Sequence, residues 1–106
     1  MSVIGESEQT VLISLLKYLR QIMWYVYVLK SESVGKPYIG STNDLKRRIY
    51  QHNSGNVDST KPKVPLQLQA YIAVQHEDVA RSLGQYLKTG SGHAFLYKRI
   101  LNSAKP

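Results

Sequence analysis

The chain has 106 residues, 42% of them hydrophobic, and carries 14 Lys and Arg against 7 Asp and Glu with no cysteine, enough for one compact domain and too little for two. The absence of cysteine excludes a disulfide scaffold, a Cys-ligated zinc site and a thiol nucleophile, and three scattered histidines offer little for a metal cage. A formal charge of +7 would draw phosphate polymers by counterion release, although lysine also serves solubility alone.

Residues 1 to 22 hold Glu6, Glu8, Lys17 and Arg20, which sum to zero, so the whole charge surplus belongs to residues 23 to 106. That boundary marks an N-terminal extension ahead of a domain over 23–106. Val11, Leu12, Leu15, Leu16, Leu19 and Ile22 follow helical spacing and predict an amphipathic helix. Its apolar stripe is expected to pack on its own domain; the alternative is a partner or a membrane surface. The opening residues are acidic where a secretory signal is basic, and no apolar run approaches the roughly 20 residues that span a bilayer. The expectation is a soluble, cytoplasmic chain without a membrane partner, monomeric or weakly dimeric.

From Met23 the texture changes. Trp24 to Leu29 is aromatic and β-branched throughout and predicts a strand covered on both faces. Ser31 to Lys36 carries turn signals, and Pro37 to Gly40 predicts a second strand that pairs antiparallel with the first. Ser41 to Asp44 is a cluster of capping residues, so a helix is expected from Leu45 to about Asn53, ended by Asn53-Ser54-Gly55-Asn56. Residues 57 to 65 read as an exposed basic loop. Leu66 to Val74 alternates and predicts a third strand, with Leu66, Leu68, Ala70, Ile72 and Val74 on one face. Asp78 is the expected cap of a helix with a core stripe of Val79, Leu83, Tyr86 and Leu87. Thr89 to Gly92 should stop it, and Ala94 to Leu101 should form a last short helix.

On the helix after the second strand, the 100° step puts Leu45 and Ile49 on the buried stripe, with Arg48 and His52 beside it and Lys46 and Arg47 pointing away. Arg48 at such an edge could offer its planar fork to a phosphate, with His52 donating to or accepting from the same group. The plainer reading pairs Arg48 with a carboxylate and leaves His52 as a helix-end cation. Tyr27 and Tyr38 lie on the paired strands, either as core rings with satisfied hydroxyls or as phenols converging with Arg48, whose charge would lower a phenol pKa enough for general-base work.

Tyr25-Val26-Tyr27, then Tyr38-Ile39-Gly40, then Ser41-Thr42-Asn43-Asp44-Leu45-x-x-Arg48-x-x-x-His52-Asn53 resembles the GIY-YIG nuclease family. Tyr86-Leu87-Lys88-Thr89-Gly90-Ser91-Gly92-x-Ala94-Phe95-Leu96 resembles its small stand-alone bacterial members, so the likeness covers about residues 23 to 101. The resemblance implies an α/β (α+β) fold, a three-stranded antiparallel sheet flanked by helices, and hydrolysis of a nucleic-acid phosphodiester, DNA first, with one Mg²⁺ or Mn²⁺. It further implies Tyr27, Tyr38, Arg48 and His52 as catalytic residues. Tyr25, Gly40, Lys46, Arg47, Lys61, Lys63 and Lys88 are the candidates for nucleic-acid contact.

One departure stands out. The family's metal ligand is a glutamate four residues before the lysine at the Lys88 position, and here that place holds Gly84. Glycine brings no oxygen, and Glu77, seven residues earlier, is a weak substitute at a backbone distance of about 10 Å along a helix. The sequence thus leaves three readings: an endonuclease of this type, a catalytically impaired nucleic-acid binder using the same cleft, and an interaction module working through the N-terminal helix.

Overall fold

The aromatic and β-branched run that follows Met23 has the side chains that pack best on a pleated surface, and it forms the middle of the sheet. In the computed structural model, which describes residues 6–32 and 35–101, strand β1 spans Trp24–Ser31. Strand β2 (Tyr38–Thr42) and strand β3 (Leu66–Val74) pair with it antiparallel, one on each side, in the order β2-β1-β3. A middle strand covered on both faces should be apolar on both, and Val26, Tyr27, Val28 and Leu29 are all buried. Part of the predicted turn between β1 and β2, residues 33 and 34, lies outside the described residues.

Helix α1 is Glu6–Ile22, α2 is Leu45–Asn53, α3 is Glu77–Leu87 and α4 is Gly90–Phe95, which runs on into a π-helical turn at Leu96–Ile100. The chain is therefore α+β, with helices on both sides of one small antiparallel sheet. Leu45 and Ile49 of α2 pack with Tyr38 against Tyr27, Leu29 and Leu66 on one face. On the other face Val26, Val28 and Ile39 meet Ala80, Leu87 and Leu96.

The third strand departs from simple alternation. Val28 pairs with Ala70 but Leu29 pairs with Leu68, so one extra residue, Gln69, sits in β3 at that point. A bulge of this kind turns the side-chain parity over. Leu66 and Leu68 therefore share a face with Tyr27 and Leu29, while Ala70, Ile72 and Val74 share the opposite face with Val26. A period of two read along one strand cannot reveal this, because both halves alternate correctly.

Three helix expectations change as well. Helix α3 is capped by His76, not by Asp78, and Glu77 and Asp78 sit in its first turn, where negative charge suits the helix dipole. Its buried line is Ala80, Gly84 and Leu87, while Val79 and Tyr86 are exposed; the two small residues let the backbone lie close to the sheet. Gly90-Ser91-Gly92 does not break the chain but opens α4, since the Thr89 hydroxyl accepts from Gly92 N–H at 3.1 Å.

Most of the described apolar stripe of α1 faces outward, although Ile22 is half-buried and Leu16 borders a groove with Tyr25, Leu45 and Ile49. Val11, Leu12, Leu15 and Leu16 are exposed, and the Leu19 side chain lies outside the described residues. The two cores are already closed by α2, α3 and α4. Among the described residues no helix is long and apolar enough to cross a membrane.

Candidate functional site

Three pieces of local structure assemble the site. The first is the start of α2, where Asp44 accepts from Arg47 N–H at 3.2 Å and Thr42 accepts from Asp44 N–H at 3.1 Å, fixing the helix directly after β2. The second is its end. Asn53 donates to the Leu66 carbonyl at 3.0 Å and accepts from Leu66 N–H at 2.7 Å, so the helix C-terminus is tied to the first residue of β3. The third is the loop between them, which folds back so that Thr60 is fully buried.

Inside that frame Tyr27, Tyr38 and His52 meet. The Tyr27 hydroxyl lies 2.8 Å from His52 Nε2, and His52 Nδ1 lies 2.7 Å from Thr60 Oγ1. Thr60 donates its own hydroxyl proton to the Val57 carbonyl at 3.4 Å. The tautomer follows: Nδ1–H donates to Thr60, and Nε2 accepts from the phenol. Tyr38 completes the group with its ring centroid 4.9 Å from His52 and 6.2 Å from Tyr27.

Gly40 belongs to the same packing. A Cβ on Gly40 would lie 2.5 Å from the Tyr27 hydroxyl, so the glycine makes room for the phenol of the neighbouring strand. Gly40→Ala is expected to cost about 1–3 kcal/mol as an overpacked core does, read as a lowered midpoint in urea unfolding.

Arg48 is half-buried, and its Nη1 donates to Gln51 Oε1 at 3.0 Å. Its bonded neighbour is thus a neutral amide and not the carboxylate of the plainer reading. The guanidinium bears on both buried groups, holding the His52 pKa down and opposing the rise of the Tyr27 pKa.

Burial reverses two expectations. Tyr27 titrates above the ordinary 10.0, not below it, because desolvation outweighs the pull of Arg48. His52 is fully buried and its pKa falls below the ordinary 6.5, by desolvation first and the Arg48 charge second. It is neither a helix-end cation nor a side chain that reaches a phosphate from the surface.

The sign of the pH effect follows. Just below pH 6.5 the unfolded chain binds the His52 proton and the folded chain does not, so the stability held in full above 6.5 falls as the pH drops towards the lower folded pKa. Urea unfolding at pH 7.5 and 5.5 should show that loss, and His52→Gln should shrink it. An unchanged pH difference in the variant would refute the assignment.

The other candidates are more dispersed. Lys46 and Arg47 lie on the exposed side of α2, with Arg47 Nε 3.9 Å from Asp44, a surface pair worth little. Lys61 and Lys63 flank a short 3-10 turn (Lys61–Lys63) directly after Thr60. Tyr25 packs edge to face on Tyr71, centroids 5.9 Å apart, beside a groove of about 490 Å³ that Leu16, Leu45 and Ile49 also line. Lys88 caps α3. Thr60 and Tyr71 are the residues the sequence reading did not single out. A threonine among polar loop residues carries no periodic signal, whereas Tyr71 sits opposite Tyr27 once the strands are paired.

A profile of the GIY-YIG catalytic domain matches residues 23–98. The chain belongs to the GIY-YIG family. It is also 33% identical over 66 residues to a UPF0213 protein of Vibrio campbellii (strain ATCC BAA-1116), a match over 61% of this chain and 62% of that relative's length. No solved structure matches it. GIY-YIG nucleases in general use a divalent metal.

The residues present do not fit such an ion. Gly84 is buried in α3 with no side chain, and its surroundings are Ser41, Arg81, Gln85 and Lys88. Among the described residues no three His, Asp or Glu side chains cluster. Glu77 is no substitute, because its carboxylate accepts from Arg81 Nε at 2.7 Å.

Proposed function

We propose that this GIY-YIG protein binds DNA through the phosphodiester backbone in the cleft of Tyr38 and Arg48, and that it does not cut DNA above background. The observation that carries this reading is the basic, carboxylate-free lining around Gly84. Arg48 supplies a planar, permanently charged fork at a half-buried edge, where a phosphate contact is worth more than at an open surface. Tyr38, half-buried, packs on the Tyr27 and His52 rings that the Arg48 charge also acts on, with a phenol to donate. Tyr27, His52 and Thr60 form the rigid backing that fixes both, and Lys46, Arg47, Lys61 and Lys63 add charge along the approach.

Two features of the buried relay favour holding over cutting. A tyrosinate at Tyr27 would require its proton to pass to His52, but burial raises one pKa and lowers the other, so the neutral pair is the stable one. Tyr27 is also 1% exposed, which keeps attacking water from its oxygen. A second reading, an active endonuclease, is favoured by the completeness of that same relay: phenol, correctly set imidazole and a neighbouring arginine are the parts a general base needs.

The test is cleavage and binding of plasmid, linear and branched DNA with Mg²⁺ or Mn²⁺, with Arg48→Ala as the blank. Under the proposal the chain binds DNA in EDTA, Arg48→Ala weakens that binding and makes its salt dependence shallower, and neither protein cuts above background. Cleavage above the blank would establish the second reading. Binding that Arg48→Ala leaves unchanged at every salt concentration would overturn both.

A further inference from the structure

A hollow of about 150 Å³ opens between β2 and α3 at the sheet edge, where Gly84 brings no side chain. Its remaining polar lining is Ser41 from β2 with Arg81, Gln85 and Lys88 from α3. Every one of these side chains can donate a hydrogen bond, two are permanent cations, and no carboxylate lines the space. Residues 81, 84, 85 and 88 fall on one face of α3, so the two charges bracket the gap left by Gly84, about one helical turn to either side. Arg81 is held in place. Its Nε donates to Glu77 at 2.7 Å and its guanidinium lies 5.9 Å from the Trp24 ring centroid, which leaves the two terminal nitrogens for another acceptor.

A lining with two cations and no carboxylate favours an oxyanion, and it repels the divalent cation that a nuclease would place near position 84. Resting on the nucleic-acid reading above, we propose that this hollow is a metal-independent phosphate site, in which Arg81 and Lys88 take the non-bridging oxygens of a DNA phosphodiester other than the one at Arg48. Gly84 then has a purpose of its own. It keeps the hollow open and free of negative charge.

The experiment is fluorescence anisotropy of a labelled DNA 12-mer with the full chain in EDTA, across a series of salt concentrations. Lys88→Gln and Arg81→Gln are each expected to weaken binding about tenfold, and the double variant to reduce the salt slope by roughly 0.7–0.9, the share of the one phosphate they hold together. Gly84→Glu, which puts an anion into the hollow, should weaken binding in EDTA more than Gly84→Gln, which adds the same bulk without charge. Circular dichroism of each variant confirms that it is folded. If Arg48→Ala weakens binding while the Lys88, Arg81 and Gly84 variants bind like the natural chain, the hollow is not a phosphate site and the cleft reading stands. If the natural chain does not bind the 12-mer in EDTA, both fall.

Discussion

Gly84→Glu is expected to raise cleavage in Mg²⁺ or Mn²⁺ by roughly two orders of magnitude over the natural chain, which on the proposed function does not cut above the Arg48→Ala background, since a metal ion contributes several kcal/mol of transition-state charge stabilisation. The backbone has room for the change. A Cβ at position 84 meets only Val26 Cγ1, at 4.0 Å, an ordinary van der Waals contact. Replacing glycine in a helix interior also removes a penalty of about 0.5–1 kcal/mol, so thermal unfolding should show the variant at least as stable as the natural chain. The carboxylate would enter beside Arg81 and Lys88, which compete with a cation for it, and raising Mg²⁺ should therefore increase both DNA affinity and cleavage in this variant alone. A natural chain that already cuts as fast as Gly84→Glu would show that hydrolysis here needs no carboxylate at this position. If the variant binds DNA in Mg²⁺ yet still fails to cut, the buried Tyr27–His52 pair becomes the barrier, because both of its pKa shifts oppose formation of the tyrosinate.

The parts of this architecture that were legible in the sequence are those that local chemistry dictates. Trp24 to Leu29 could only be a strand covered twice, and the capping cluster Ser41 to Asp44 could only precede a helix; Asp44 does accept from Arg47 N–H. Long-range choices left weaker traces. The extra residue at Gln69 changes which face Leu66 and Leu68 occupy without disturbing the alternation on either side of it. On α3 size does not indicate burial: Val79 and Tyr86 are larger than Ala80 and Gly84, yet the small residues lie against the sheet and the large ones are exposed. At the site, helical spacing set Arg48 and His52 beside the buried stripe of α2, but how deep each lies depends on a loop folding over the helix end. That loop carries Thr60, and burying Thr60 takes His52 out of reach of solvent. The same burial inverted the expected direction of the Tyr27 pKa.

His52→Ala should remove about 3–5 kcal/mol of stability, a large part of the 5–15 kcal/mol that a domain of this size holds. The imidazole is fully buried and serves two partners at once. Its loss leaves a cavity beside the Tyr27 ring and two buried hydroxyls without the nitrogen each one faces, and an unsatisfied buried group costs about 1–3 kcal/mol. Single truncations separate the two ends. Thr60→Val keeps the volume and deletes the acceptor for Nδ1–H, which frees the tautomer and lets the ring reverse its roles; Tyr27→Phe deletes the donor to Nε2 and keeps the ring. Each should cost about 1–2 kcal/mol in urea unfolding. The double variant should cost less than their sum, because either single truncation already loosens the imidazole and weakens the bond at its other end. Strict additivity would mean that the two bonds are independent and that His52 fills space without relaying orientation from the loop to the phenol. A loss below 1 kcal/mol in His52→Ala would contradict the buried geometry itself, since no packed imidazole with two short hydrogen bonds can be removed so cheaply.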